Sequence, residues 1–240
     1  MMRMIGFSTG ALAYADYRLG VAMLQGKAVD AIELSALRQP ELAPLCEGVD
    51  ALDLTQFAYV AVHAPSSVRR DDEPQVVEAL AGLAERGWNI VHHPDAIHDF
   101  SLWARLGERL LIENMDKRKP IGRTAAELAD AFQRLPHASF CFDIGHARQV
   151  DPTMTVAYFL LKEFGSKLKQ LHVSEVNSRS THDRLSYASV LAFREVADMV
   201  PEEVPLILET PVPENRIIDE IRIAAAAMNA AGQELATAGD

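Results

Sequence analysis

Cysteine is scarce in this chain, cations are outnumbered by acids, and no apolar run is long. The two cysteines, Cys46 and Cys141, each sit in an apolar setting. Neither a disulfide scaffold nor a thiolate metal site is expected from them, and both read as buried free thiols. Lys and Arg number 23 against 34 Asp and Glu, a formal net charge of −11, and a field of that sign opposes non-specific attraction to a polyanion. Nucleic acid is therefore a disfavoured partner. No stretch approaches the roughly 18 apolar residues needed to cross a bilayer, and the opening MMRMIGFSTG lacks a signal peptide's long apolar region. A cytoplasmic protein without membrane association is the expectation. No strand-like run leads into a GxGxxG or GxxxxGK(S/T) loop, so the usual sign of a nucleotide-binding doubly wound sheet is missing too.

What the chain does have is alternation. Its 240 residues, 49% of them hydrophobic, are ample for one large core, and short apolar runs alternate with helix-period segments eight times. The runs are MIGFS, DAIELS, AYVAVHAP, NIVHHP, LLIENM, SFCFDIGH, LKQLHVSE and VPLILETP. Between them, residues 72 to 86 place Val76, Val77, Leu80, Leu83 and Ala84 on one helical stripe. Thr124 followed by Glu127 reads as a capping box opening another helix. Further helices are expected after Asp151, near Ser189 and near Pro213. Strands buried on both faces with helices between them imply a parallel sheet, and eight such units favour closure. The expectation is an α/β fold, a (β/α)8 TIM barrel forming a single domain over residues 1–240.

Six of the eight inferred strands end in a side chain that can bind metal: His63, His93, Glu113, Asp143, His172 and Glu209. Barrel enzymes place their active sites at that end. His146 and His182 lie just beyond strands six and seven. A buried carboxylate is costly unless it is paired or meets a cation, and a shared divalent ion would satisfy Glu113, Asp143 and Glu209 together. Zinc suits this donor set best, with manganese, iron or cobalt as alternatives, at one to three ions per chain. Adjacent strand residues face opposite ways, so only one of His92 and His93 should reach the site, and His93 is preferred because Pro94 follows it at the strand end. His98 and His137 are assigned to surface or capping roles.

The motifs VHAP, HHP, IENM, DIGH, LHVSE and LILETP together resemble the xylose isomerase-like barrel superfamily across nearly the whole chain. By resemblance to its sugar isomerases and epimerases, Glu113, Asp143, His172 and Glu209 would hold one metal. The endonuclease IV branch looks closer still. That resemblance implies a first zinc on His63, His93 and Glu113, a second on Glu113, Asp143, His172 and Glu209, and a third on His146, His182 and Glu209. One departure stands out: the branch's D-x-H motif reads Ser180-Thr181-His182 here, with Ser180 or the out-of-register Asp183 in place of an aspartate ligand. Only two ions, or a weakened third, follow from that.

Two reactions fit these residues. The first is hydrolysis of a small-molecule phosphoester by two or three ions, bridged by Glu113 and Glu209, with Arg148, Arg179 and Arg184 holding phosphate. The second is isomerisation or epimerisation of a sugar or sugar phosphate at one ion, with Glu113 and Glu209 as the acid–base pair. In that scheme His146 and Glu175 orient hydroxyls, while Ser8 and Glu33 line the pocket. A non-catalytic metal-binding barrel is the third reading. The ligand count, in particular His63 and His93, favours hydrolysis, and the expected partner is a small molecule.

Overall fold

The computed structural model describes residues 3–228. Its strands are β1 (Ile5–Ser8), β2 (Ala31–Ser35), β3 (Tyr59–His63), β4 (Asn89–His92), β5 (Leu110–Glu113), β6 (Ser139–Asp143), β7 (Leu168–Val173), β8 (Glu175–Val176), β9 (His182–Asp183) and β10 (Leu206–Leu208). Strands β1 to β7 pair in parallel with their sequence neighbours, and β10 closes the ring between β7 and β1. The closed eight-stranded barrel with outer helices is the expected (β/α)8 fold. The short antiparallel ribbon β8–β9 is an addition, built in the loop after β7.

The helices are α1 (Thr9–Ala13), α2 (Tyr17–Leu24), α3 (Gln39–Gly48), α4 (Glu73–Ala84), α5 (Phe100–Trp103), α6 (Ala125–Arg134), α7 (Ile144–Val150), α8 (Thr155–Phe164), α9 (Tyr187–Arg194) and α10 (Ile217–Met228). In α4 the stripe Val76, Val77, Leu80 and Leu83 is buried against the barrel, and Ala84 at its end is half-buried. At α6, Thr124 Oγ1 accepts from the Glu127 amide at 3.3 Å, but the Glu127 carboxylate turns to the amide of Arg123 at 2.8 Å. Only half of the expected reciprocal cap forms, because the Arg123 guanidinium draws the acid away at 2.7 Å. No helix among the described residues is long and apolar enough to cross a membrane.

Strand alternation fixes which residues enter the barrel. Ile90, Ile112, Phe140 and Phe142 join the large core shared with the helices, whereas Val91, Leu111 and Cys141 form a separate buried cluster. The second set faces inward and makes an apolar plug. Residues two further along share its orientation, so His93, Glu113 and Asp143 stand directly above the plug at the barrel mouth. The same step carries Ala61 to His63, Gln170 to His172 and Ile207 to Glu209.

Candidate metal centre

Glu113 lies at the middle of the inward-facing ring. Its Oε2 is 3.3 Å from His63 Nε2 and 3.2 Å from His93 Nε2. Its Oε1 is 3.1 Å from His172 Nδ1 and 3.5 Å from His146 Nδ1. Each oxygen of one carboxylate thus faces a different pair of imidazoles. Three sets of side chains bring ligand atoms within 4.8 Å of one another: His63, His93 and Glu113; Glu113, Asp143, His172 and Glu209; and Asp143, His146 and His182. All eight residues expected as ligands converge here. The third set closes on Asp143, while Glu209, which the resemblance implied for it, stands 3.7 Å from His182 Nδ1 through its Oε2.

Local structure orients these groups. His63 Nδ1 donates to the Ala64 carbonyl at 2.7 Å, which aims Nε2 at Glu113. Asp143 caps α7: its Oδ1 accepts from the His146 amide at 2.6 Å, and its Oδ2 has no hydrogen-bond partner. The Asn114 side chain bridges β5 and β6, donating to the Asp143 carbonyl and accepting from its amide, each at 2.8 Å. The glycine of the DIGH motif is sterically required. A Cβ at Gly145 would lie 2.4 Å from the Ser174 carbonyl oxygen, so only glycine lets α7 approach β7 closely enough for Asp143 and His146 to share one site.

Whether these residues suit a cation can be tested on their own chemistry. Asp143 Oδ2 and Glu209 Oε2 are buried without hydrogen-bond donors, a costly state that a cation relieves. Burial, reinforced by Glu113, Asp143 and Glu33 against the counter-pull of His172, pushes Glu209 up to about 8. Burial lowers the His63 value, but its bond to Glu113 and the surrounding acids carry it up to about 9. Without ions, the cluster therefore holds protons where ions would sit. The donor set fits a divalent metal.

This has a consequence for the metal-free protein. His63 and Glu209 both have folded values above their unfolded ones, about 9 against 6.5 and about 8 against 4.5. The native state binds more protons than the unfolded one across that range, so stability falls as pH rises. His182 opposes this only below 6.5, since burial and His146 lower it to about 4. Melting of metal-stripped protein should therefore drop by about 5 °C or more between pH 6.5 and 9, and saturating metal should flatten the profile. A flat profile in the stripped protein would contradict this charge pattern.

The histidine pair separates cleanly. His93 lines the pocket, while His92 is fully buried behind it with its ring stacked on Trp103 at a centroid distance of 3.8 Å. His98 is tied to the Val68 carbonyl at 2.7 Å, away from the site. Ser180 lines the pocket, its Oγ accepting from Gln149 at 2.7 Å, whereas Asp183 lies outside the lining and accepts from Asn177 at 2.7 Å.

Several residues expected to bind substrate are placed otherwise. Ser8 does line the pocket, bonded to Ser35 at 2.7 Å. Glu33 does not: it is fully buried one layer below the mouth, where its Oε2 meets His172 Nε2 at 2.9 Å. The inward residue that ends β2 is Ser35, so Glu33 sits two residues too early in its strand to reach the opening. Arg148 and Glu175 pair with each other at 3.4 Å, and Glu175 also accepts from Ser186 and Ser189, clasping the start of α9. Arg184 is held by buried Glu220 at 3.2 Å, and Arg179 is exposed on the ribbon turn. None of these four lines the cavity.

The cations that do line it are Arg118 and Lys119, in the loop after β5. Arg118 donates to the Ser180 carbonyl at 2.8 Å and Lys119 to Asp95 at 2.9 Å. The cavity holds about 370 Å³, with Leu37, Met115 and Pro211 supplying an apolar wall and Tyr14 standing exposed at its mouth. The signal for this rim was the run Lys117-Arg118-Lys119, a few residues beyond Glu113.

Solved structures share this architecture at low sequence identity, so each likeness is one of fold. Endonuclease IV from Thermus thermophilus is 19% identical, with 95% of this chain and 100% of that one covered and a TM-score of 0.63. A protein named as a candidate sugar phosphate isomerase/epimerase from Anabaena variabilis is 15% identical, covering 92% and 88%, with a TM-score of 0.57. A xylose isomerase-like TIM barrel protein from Mycobacterium smegmatis, solved with magnesium, is 11% identical, covering 95% and 98%, also at 0.57. No curated protein matches by sequence. The family model for the xylose isomerase-like TIM barrel matches residues 45–230, and the chain belongs to that family.

Proposed function

We propose that this protein is a metal-dependent hydrolase of a small-molecule phosphoester, working with two or three divalent ions at the barrel mouth. The observation that carries this reading is the two-sided environment of Glu113. One oxygen faces His63 and His93 and the other faces His172 and His146, the disposition of a carboxylate that bridges two ions. His63, His93 and Glu113 would hold the first ion, and Glu113, Asp143, His172 and Glu209 the second. A third would rest on Asp143, His146 and His182. Zinc is the favoured metal, with manganese, iron or cobalt as alternatives, because imidazole-rich sites without thiolate suit these ions better than magnesium. Bound there, such ions supply Lewis acidity toward phosphoryl oxygens and a nucleophile at neutral pH.

The chain's own groups supply the rest. Glu209 is the most exposed of the three carboxylates, with 11% of its side-chain surface accessible, so it is placed to take the proton released as water attacks. Arg118 and Lys119 hold the anionic group, and Leu37, Met115 and Pro211 receive an apolar substituent. The net charge of −11 and the small cavity favour a small molecule over nucleic acid. Arg118→Ala should lower kcat/KM on a phosphoester about 10-fold, the worth of one charge-assisted hydrogen bond. Alanine at Arg148, Arg179 or Arg184 should leave it within about 2-fold, since surface substitutions away from a site usually cost little. Steady-state kinetics on the four variants checks this, and a neutral Arg118→Ala would remove Arg118 from the substrate's contacts.

A second reading, isomerisation or epimerisation of a sugar or sugar phosphate at one ion, is favoured by one observation: Glu113, Asp143, His172 and Glu209 form a buried quartet on their own. Metal-loaded protein offered bis(p-nitrophenyl) phosphate, p-nitrophenyl phosphate and a ketose panel in D2O separates the two. Nitrophenol release is expected. Exchange of deuterium alpha to a sugar carbonyl, without phosphoester cleavage, would overturn the hydrolase reading.

A further inference from the structure

We infer that Glu33 is a positioning residue that acts through His172, selecting the tautomer of that ring and fixing its plane. The inference rests on the reading of the barrel mouth as a metal centre. His172 presents Nδ1 to the cluster, 3.1 Å from Glu113 Oε1 and 3.4 Å from Glu209 Oε2. Its other nitrogen, Nε2, points down the barrel and lies 2.9 Å from Glu33 Oε2. A neutral imidazole carries one N–H and one lone pair. With the N–H donated to Glu33, the lone pair is left on Nδ1, where a ligand must offer it. In the opposite tautomer Nδ1–H would bond Glu113, and the ligand position would be blocked.

The surrounding network fixes Glu33 and Gln170 against the lower edge of the ring. Asn89 donates to the Tyr59 hydroxyl at 3.0 Å, so the Tyr59 proton is free to go to Gln170 Oε1, 2.6 Å away. That contact fixes the Gln170 amide, whose Nε2 donates to Glu33 Oε2 at 2.6 Å and lies 2.7 Å from His172 Nε2, so the amide nitrogen, the ring nitrogen and the carboxylate oxygen form a closed triangle. Donors from two directions, Gln170 and His172, converge on a single oxygen. The negative charge on that oxygen favours the ring tautomer that donates to it over the one that would turn a lone pair toward it, which accounts for a carboxylate in a fully buried layer. Buried acids of this kind, placed behind a ligating histidine, fix ring orientation and raise ligand basicity. The chain Asn89, Tyr59, Gln170, Glu33 thus links the lower barrel to the face of His172, a role distinct from contact with substrate.

Two variants of the full chain test this. Glu33→Gln keeps the shape and an acceptor but loses the charge; Glu33→Leu keeps the volume and loses the acceptor. Cobalt(II) and zinc titrations against a chelator should show affinity for one ion falling about 10-fold in Glu33→Gln and about 100-fold in Glu33→Leu. The cobalt visible spectrum should change alongside. The metal-free variants should also melt somewhat lower than metal-free wild type, because the buried His172 ring loses its carboxylate partner. If Glu33 were merely structural, that loss of stability would appear alone and the metal affinities would stay level. Should Glu33→Leu fail to fold, Glu33→Gln decides alone, and wild-type affinity in it overturns the inference. Wild-type protein that binds neither cobalt nor zinc would instead refute the metal centre itself.

Discussion

Replacing Glu113 with glutamine is expected to cut phosphoester turnover by roughly 10³-fold or more, since the loss of several kcal/mol of charge stabilisation translates into that factor. It should also displace more than one ion. The reason is positional: each oxygen of Glu113 faces its own imidazole pair at 3.1 to 3.5 Å. An amide has one acceptor atom and cannot serve both sides. Two of the three ligand sets contain Glu113, so metal analysis of Glu113→Gln should find the third set as the best preserved. A variant that keeps its full metal content would show that the carboxylate does not bridge. Circular dichroism and the melt of the metal-free form control for folding. Loss of a buried acid surrounded by His63, His93, His146 and His172 also removes compensation for any protonated imidazole among them, so a modest fall in metal-free stability is expected.

His63→Ala gives the second large effect and is the more discriminating experiment. His63 belongs to only one ligand set, with His93 and Glu113. Its removal should release a single ion, leave the quartet of Glu113, Asp143, His172 and Glu209 loaded, and reduce hydrolysis by about 10²-fold to 10³-fold. A one-ion isomerase has no use for His63, so near-normal turnover in this variant would discard the polynuclear mechanism. The alanine also opens a small void beside His93, whose ring meets that of His63 edge-on at 5.0 Å. Substitution by asparagine, which fills more of the space, separates packing from ligation: both variants should lose the same ion.

Much of the barrel mouth was legible because strand alternation is a strict two-residue period. In NIVHHP, LLIEN and SFCFDIGH the plug residues Val91, Leu111 and Cys141 are followed two positions later by His93, Glu113 and Asp143, so depth in the barrel can be counted along each strand. Where a strand's end was misjudged, depth was misjudged with it. Glu33 looked terminal in DAIELS, but β2 runs on to Ser35, and that single two-residue step moves the acid from the pocket wall to the layer beneath. The rim arginines failed for another reason. Arg184 is held by Glu220, which lies 36 residues away in sequence, and no local pattern announces such a partner. Arg148 and Glu175, both assigned to substrate, satisfy each other across 27 residues. The ribbon β8–β9 escaped because two-residue strands carry no periodicity, although it is this ribbon that brings His182 over the cluster.

The fold narrows the chemistry without fixing it, since one barrel can host many reactions and the site decides among them. Endonuclease IV and a candidate sugar phosphate isomerase/epimerase share this architecture. What separates the readings here is the number of cations that the mouth can hold.

Anomalous scattering at the zinc, cobalt, iron and manganese edges, recorded from one crystal of protein grown without chelator, measures that number directly. Two or three peaks are predicted, with Glu113 lying between the peak near His63 and His93 and the peak near Asp143, His172 and Glu209. A single peak at the quartet, with His63 and His93 bonded to each other's neighbours or to solvent, would contradict the account.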